Sequence, residues 1–549
     1  MKKFLLSACV VGIAASASAV EPFVIPQSNI TAFSPDNKIA ASSYFDNLFI
    51  FDLDKLGADP VIYNSSADGL TTYNTGLGAC ISDKFICAHR GNLGTAVWIY
   101  RFAGDDKTLT GRWQPLNAKE PNTGMGAAHA VTADSKRICG NLPTGVEFGV
   151  ETDGLMVAPC IWDYTGSTFK RTLLPYPEKD YAGLAPQYVT ALSISDDGRT
   201  IIGQSVSNNG FLKEYIIYTQ AEDGTWSYRR PFADLVNPNK RELPTYPEGE
   251  APVVPSPESY MTEAELEAYT AAYNEWYAAG ADEATMPQYG SYMTQEEAEA
   301  YNKAAEISNN YQLAVQAYLE ADLKIRDESI TFVFNQGAIS PNGKYLASTT
   351  ETGYYTSDAV WHSTYKPLLY DIENDKIIVN DGPSILVTGV SDDGDVIGYE
   401  RRDDIEFGYV LPAGATEWMP LEKWVVERNP ELAEWVEKNW KHEIQVIIDP
   451  DEDITEFRDM YITGMPFMSR DFSMLSTVAY YFWNDAPSEC FQSYCSSIVP
   501  LGAKDAIREV AADAKPADSK AVFNLQGVRV DNPSTPGIYI SNGKKFVVK

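Results

Sequence analysis

A nine-residue pattern recurs along this chain, and it narrows the choice of folds more than any other feature. It reads Ser34-Pro-Asp-Asn-Lys-Ile-Ala-Ala-Ser42, then Thr132-Ala-Asp-Ser-Lys-Arg-Ile-Cys-Gly140. It returns as Ser195-Asp-Asp-Gly-Arg-Thr-Ile-Ile-Gly203 and Ser340-Pro-Asn-Gly-Lys-Tyr-Leu-Ala-Ser348. A copy one residue shorter runs from Ser391 to Gly398, and degraded copies begin at Ser82 and Ser469. Each copy has the chemistry of a β-hairpin. An alternating apolar stretch leads in, as in Val189 to Ile194. Ser, Asp, Asn and Gly then turn the chain, because their side chains cap backbone groups and Gly or Asn accepts positive φ. A basic residue and an apolar pair carry it out, and a closing small residue lets backbones approach.

The first Ser or Thr of successive copies is separated by 48, 50, 63, 145, 51 and 78 residues. Short strands that repeat every 40–50 residues or so read as propeller blades, each a four-stranded sheet. The expected fold is mainly β: a β-propeller of about seven blades over residues 20–510, with an α-helical hairpin insertion and a small C-terminal β-tail.

The 145-residue gap holds that insertion, residues 240–328. Pro244, Pro247, Pro252, Pro255 and Pro257 give it an extended lead-in. Thr262-Glu-Ala-Glu265 and Thr294-Gln-Glu-Glu297 both match the capping box, in which a Thr hydroxyl and a Glu carboxylate satisfy orphan amides reciprocally. The two belong to a duplicated unit: Tyr260-Met-Thr-Glu-Ala-Glu-Leu-Glu-Ala-Tyr269 returns 32 residues later as Tyr292-Met-Thr-Gln-Glu-Glu-Ala-Glu-Ala-Tyr301. In the first helix Leu266, Tyr269, Tyr273, Trp276 and Tyr277 share a face, and in the second Tyr301, Ala305, Tyr311, Val315, Tyr318 and Leu319 do so. Such stripes more often pack than bind. Read functionally, Tyr269, Tyr273, Trp276 and Tyr277 are the candidate binding residues of an arm for a protein or glycan partner.

Charge narrows the partners. Lys+Arg 43 against Asp+Glu 76 leaves −33, which repels phosphate backbones and anionic lipid, so nucleic acid is not expected. Met1-Lys2-Lys3, the apolar run from Phe4 to Ala15, and Ala17-Ser18-Ala19 form an expected signal peptide over residues 1–19, which places the chain outside the cytoplasm. Without Cys9 an even set remains: Cys80, Cys87, Cys139, Cys160, Cys490 and Cys495. Locality favours the disulfides Cys80–Cys87, across a hairpin, and Cys490–Cys495, in a tight loop; free, buried thiols are the alternative.

Catalytic motifs are scarce. G-x-S-x-G, H-E-x-x-H and a Walker A loop do not occur, and His89, His129, His362 and His442 stand apart in sequence. The candidate metal site is Asp449-Pro-Asp451-Glu-Asp453, whose alternating carboxylates suit a hard cation such as calcium, although the EF-hand pattern fails at Ile454 and Met460 and such runs in acidic chains are more often solvated loops. No cofactor is required by any motif. Aromatic content of 12%, with Tyr 33 and Trp 11, suits stacking on sugars as well as core packing.

Two resemblances add to this. The hairpin pattern resembles the S-x-D-G-x-x-I-x-G turn of secreted HAF-type and WD-like β-propeller repeats. Ala158-Pro-Cys-Ile-Trp162 and Ala96-Val-Trp98 are similar to the strand that follows it in HAF-type blades. After a linker at 511–519, residues 520–549 contain Asn524-Leu-Gln-Gly-Val-Arg-Val530 and Gly537-Ile-Tyr-Ile540, which read as three short strands. They resemble a short form of the C-terminal sorting domains of the type IX secretion system in Bacteroidota. The resemblances imply a cell-surface propeller acting in binding, adhesion or scaffolding, with outer-membrane secretion machinery as a partner. A polysaccharide hydrolase or lyase with its site at the propeller axis is the alternative they leave open.

Overall fold

The computed structural model describes residues 22–26, 28–44, 47–55, 59–64, 80–90, 95–101, 109–116, 126–144, 155–181, 183–208, 212–247, 249–334, 338–355, 361–402, 405–449, 454–461, 464–486, 489–502, 522–524, 537–541 and 544–548. The expected signal peptide and linker lie outside the described residues. The chain forms two compact units, Met1–Gly502 and Ala503–Lys549.

The larger unit is a seven-bladed β-propeller. Blade 1 pairs Ile30–Phe33, Ile39–Tyr44, Asn47–Asp52 and Val61–Asn64 in that order, and blade 2 pairs Cys80–Ile81, Phe85–Arg90, Thr95–Arg101 and Leu109–Pro115. Blade 3 follows with Ala127–Val131, Arg137–Pro143, Val157–Tyr164 and Phe169–Leu173, and blade 4 with Tyr188–Ile194, Thr200–Val206, Lys213–Gln220 and Trp226–Arg229. Blade 5 spans Thr331–Val333 to Lys376–Val379, and blade 6 spans Leu386–Val390 to Met419–Pro420. Blade 7 supplies only three strands from its own stretch, Met465–Met468, Met474–Ala486 and Glu489–Pro500. Its outermost strand is Phe23–Pro26, antiparallel to Glu489–Pro500 with Phe23 opposite Ile498. The first strand of the chain therefore fastens the last blade, so that the ring closes through backbone hydrogen bonds.

All seven copies of the pattern sit at the turn between the first and second strands of a blade. The small residue that ends the pattern is dictated by close approach. A Cβ on Gly140 would lie 1.9 Å from the Ala127 carbonyl oxygen, and one on Gly203 would lie 2.4 Å from that of Thr190. Where the copy ends in Ser, the hydroxyl is itself a tie: Ser42 Oγ accepts from the Asn29 amide at 2.8 Å, and Ser476 Oγ donates to the Ile30 carbonyl at 2.8 Å. Between blades the space is filled by apolar layers. One joins blades 2, 3 and 4 around Trp162, Phe85 and Tyr218, and another joins blades 4 and 5 around Tyr215, Phe232 and Phe332.

Strand alternation sends the connections between blades to the end opposite the seven turns. Two of these are long. Residues 230–330 join blades 4 and 5 and contain the helices Glu263–Ala278 and Gln295–Glu328. Residues 421–464 join blades 6 and 7, with the helices Leu421–Arg428 and Ala433–Asn439 and the hairpin Lys441–Asp449 with Ile454–Tyr461. Leu421, Trp424, Val425 and Leu432 bury one face of that second insertion against Phe472 and Val499. Among the described residues no helix is long and apolar enough to cross a membrane. The smaller unit is a three-stranded antiparallel sheet of Val522–Asn524, Gly537–Ser541 and Lys544–Val548.

Candidate functional site

At one end of the propeller the turns build a closed ring. In the four full copies and in the seventh the first hydroxyl accepts from the amide five residues on: Ser34 from Ile39 (3.0 Å), Thr132 from Arg137 (3.0 Å), Ser195 from Thr200 (3.0 Å), Ser340 from Tyr345 (2.9 Å) and Ser469 from Met474 (2.9 Å). The same hydroxyl donates to the Asp or Asn two positions on, as Ser195 does to Asp197 at 2.6 Å. The fourth residue of the copy takes positive φ, from 55° at Asn37 to 93° at Gly394. That residue packs on the preceding turn: a Cβ on Gly198 would meet Thr132 at 3.0 Å, and one on Gly343 would meet Ser195 at 3.2 Å. Asn37 closes the circle, its Nδ2 donating to Asp471 of the seventh turn at 2.9 Å.

Arg470, the second residue of that seventh turn, reaches across the axis. Its guanidinium donates to Asp196 in the blade 4 turn and to the Val131 carbonyl in blade 3. Blades 3 and 4 lie on the far side of the ring from blade 7, so the side chain bars the axial mouth at this end. No signal in the sequence marked it, because the position is Pro, Ala or Asp in the other copies.

The opposite end carries the arm, residues 241–328. Its root is buried: Ile325 is 1% exposed among Tyr215, Phe232 and Phe332. Tyr181 donates to Asp322 at 3.1 Å. Arg241 grips Glu328 with two bonds of 2.6 Å, and Asn239 adds a third at 2.7 Å. Those bonds hold the Glu328 carboxyl down to about 2. Nearby, Glu214 pairs with Arg230 at 2.5 Å, and burial still pushes its carboxyl up.

Above the root the Pro-rich lead-in lies along the long helix. Tyr246 meets Tyr318 edge-on at 5.1 Å between ring centroids, and Tyr311 OH donates to the Gly249 carbonyl at 3.3 Å. Both capping boxes form, with the same geometry: the Thr262 and Thr294 amides each donate to their Glu at 2.8 Å, and the two hydroxyls do so at 2.7 Å. The Thr262 bonds lower the Glu265 carboxyl. The expected helical hairpin is thus present as two helices, but the first packs mainly on the return segment rather than along the second. Tyr269 stacks on Tyr289 at 4.1 Å and meets Tyr292 edge-on at 5.6 Å. Tyr289 in turn donates to Glu258, which raises the phenol and lowers the carboxyl.

The four candidate binding residues therefore divide. Tyr269 is 6% exposed and is a packing residue. Tyr273 leans on Trp276 (5.1 Å), and Trp276 Nε1 donates to the Asp282 carbonyl at 2.6 Å, leaving both half-buried. Tyr277 alone is open, at 69%. Beyond it the arm offers aliphatic side chains to solvent: Ile307, Leu313 and Leu319 are each at least half exposed.

The remaining expectations meet different outcomes. Asp449 ends a hairpin strand opposite Ile454, while Asp451 and Asp453 lie outside the described residues. Among the described residues no group of three or more His, Cys, Asp and Glu side chains gathers as metal ligands. Cys80 and Cys87 are indeed register partners, yet they form no disulfide, and neither do Cys139 and Cys160. All four fill the apolar layer of blades 2 and 3, where thiols behave as small hydrophobes. Burial pushes the Cys80 and Cys139 thiols up, which disfavours the thiolate that disulfide exchange needs. Cys490 and Cys495 lie not in a loop but on one strand, Glu489–Pro500. Five extended residues separate their Cα atoms by about 16 Å, beyond the roughly 7 Å that a disulfide spans.

No family model matches the chain, and no curated protein matches it. Solved structures similar to it include a putative TolB from Agrobacterium tumefaciens, 12% identical, covering 73% of this chain and 91% of that one with a TM-score of 0.28. The WD40 domain of SCAP from fission yeast is 9% identical and covers 88% of this chain and 98% of its own, with a TM-score of 0.34. The β-propeller domain of the Trilobed protease from Pyrococcus furiosus is 10% identical, covering 89% and 97%, again with a TM-score of 0.34.

Proposed function

We propose that this is an exported cell-surface binding or adhesion module, in which a rigid propeller carries the arm of residues 241–328 as its recognition element. The observation that carries this is the way the arm spends its side chains. Most of the rings that could stack on a sugar are turned onto one another, whereas aliphatic groups on the long helix and Tyr277 face water. Exposed aliphatic groups on an acidic scaffold suit a protein partner better than a glycan. The barred axial mouth also leaves the arm-bearing end as the face for engagement. The leader-like residues 1–19 and the sorting-like residues 520–549 support delivery to the surface of a Bacteroidota-type envelope through type IX machinery.

The test removes the arm and keeps its root. Tyr246 and Tyr318 lie side by side, so residues 247–317 can be replaced by Gly-Ser-Gly. Peptide and glycan arrays are probed with both chains, alongside a reducing-sugar release assay on a polysaccharide panel. The expected result is retention on peptide spots by the full chain only. Retention unchanged by arm removal, or sugar release from any polysaccharide, contradicts the proposal.

A further inference from the structure

The long helix Gln295–Glu328 commits one side to the arm and its root and leaves the other open. Tyr301 meets Tyr260 edge-on at 5.7 Å, Tyr311 bonds to Gly249, Tyr318 meets Tyr246, and Ile325 is buried in the core. On a regular helix these four lie within about 120° of arc. The opposite side carries Glu306, Leu313, Leu319, Glu320, Leu323 and Asp327, which fall within about 140°, with Lys324 at their edge. All six face water, and the three leucines are 54%, 51% and 47% exposed. From Glu306 to Asp327 this strip runs for about 32 Å and is one helix face wide.

Two properties of the strip define what fits it. Along it the leucines alternate with carboxylates, so a partner that covers the leucines must also answer the acids. An uncharged surface would strip water from Glu306 and Glu320 and return nothing, and an acidic one would be repelled. The second property is the charge of the whole arm. Between Glu242 and Glu320 there are 15 acidic residues and one basic, Lys303. Those 79 residues hold a net −14 of the −33 carried by all 549. A field of that sign draws in a basic surface and turns away a second arm of the same kind.

We infer, on the reading of the arm as a protein-binding element, that the open side of this helix receives a basic amphipathic helix of a protein partner. Apolar residues of that helix cover Leu313, Leu319 and Leu323, and its lysines or arginines stand beside Glu306, Glu320 and Asp327. A helix suits the strip because Glu306, Leu313, Glu320 and Asp327 recur at seven-residue steps, a seam that a second helix follows at a shallow crossing angle.

The test uses the full chain and a fluorescent Leu/Lys peptide of about 22 residues, long enough to cover the strip, with its leucines on one helical face. One control peptide has the same residues reordered to spread the leucines around the helix, and a second has every Lys replaced by Gln. In anisotropy titrations the ordered Lys peptide should bind about tenfold or more tightly than either control, and about tenfold more weakly at roughly 300 mM salt than at 50 mM. Leu313→Gln with Leu323→Gln should weaken binding about tenfold, and Glu306→Lys with Glu320→Lys by more. Thermal transitions of both variants should match the parent, since all four side chains are exposed. Three results overturn the basic helix as partner: a control peptide that binds as well as the ordered Lys peptide, variants that bind as the parent does, or no binding of any Lys peptide. Capture of a neutral or acidic peptide that is lost when residues 247–317 are replaced by Gly-Ser-Gly would overturn the partner's chemistry alone and leave the arm as a protein-binding element. Capture that survives that replacement would contradict both.

Discussion

The ring of turns and the arm solve the same problem, joining repeated units, with opposite chemistry. In the ring a buried hydroxyl satisfies a buried amide within each turn, and the fourth residue of one turn seats on its predecessor. Each tie is short, directional and enclosed. In the arm the copies meet through tyrosine edges and faces near the surface, and their capping boxes are open to water. The ring therefore resists substitution at single atoms, whereas the arm should yield locally without disturbing what carries it.

Four substitutions or conditions sharpen that contrast. The largest effect is expected for Gly203→Ala, whose Cβ would lie 2.4 Å from a carbonyl oxygen and 2.7 Å from the Tyr218 ring. Chemical denaturation should show a loss of about 3 kcal/mol, against no measurable change for Gly290→Ala in the arm, where a Cβ meets nothing. Next, Ser195→Ala removes a fully buried hydroxyl, leaves the Thr200 amide without its acceptor and should cost about 2 kcal/mol of global stability. The matching change in the arm, Thr262→Ala, should cost its helix about 1 kcal/mol and leave the global transition in place. Third, Tyr269→Ala removes the stack on Tyr289, so amide exchange should quicken across 260–301 while the turn amides of Thr200 and Tyr345 keep their protection.

The smallest effect is a pH dependence at the root of the arm. The folded Glu328 carboxyl sits at about 2, below its ordinary 4.5, because Arg241 and Asn239 bond the charged form. A depressed carboxyl stabilises the fold above its ordinary value, and that contribution fades as pH falls from there towards the folded value. Amide exchange over 241–247 should therefore quicken between about pH 5 and pH 3, and Glu328→Gln should flatten the response.

The propeller was legible because its signal is local. Seven hairpins repeat one turn chemistry: each copy contains its own hydroxyl, and six of the seven place their fourth residue at positive φ, the shorter Ser82 turn being the exception. Even the seventh, degraded copy obeys the rule, with Phe472 at φ +57° where the others place Gly, Asn or Ser; its ring is buried in the core beside Trp424. What sequence alone could not supply depends on distant partners. Phe23–Pro26 reads as nothing until Ile498 is beside it. Arg470 acquires a role only through Asp196 across the axis. The Ser- and Cys-containing stretch of Glu489–Pro500 reads as a loop, yet pairing on both sides makes it a central strand of blade 7. Cys80 and Cys87 face one another as the hairpin spacing predicts, but facing register does not make a bond, and an apolar layer holds them as thiols. In the arm the duplication was plain in the residues. Its pairing was not, since aromatic periodicity shows which ring lies on which face and not which ring it meets.

The most direct measurement is the thermal unfolding of the chain with residues 247–317 replaced by Gly-Ser-Gly. If the propeller is closed by its own turns and its N-terminal strand, a single cooperative transition should remain, with its midpoint shifted by no more than about 2 °C. Loss of that transition, or a fall of ten degrees or so, would show that the arm holds the ring together and that the two regions are not separable.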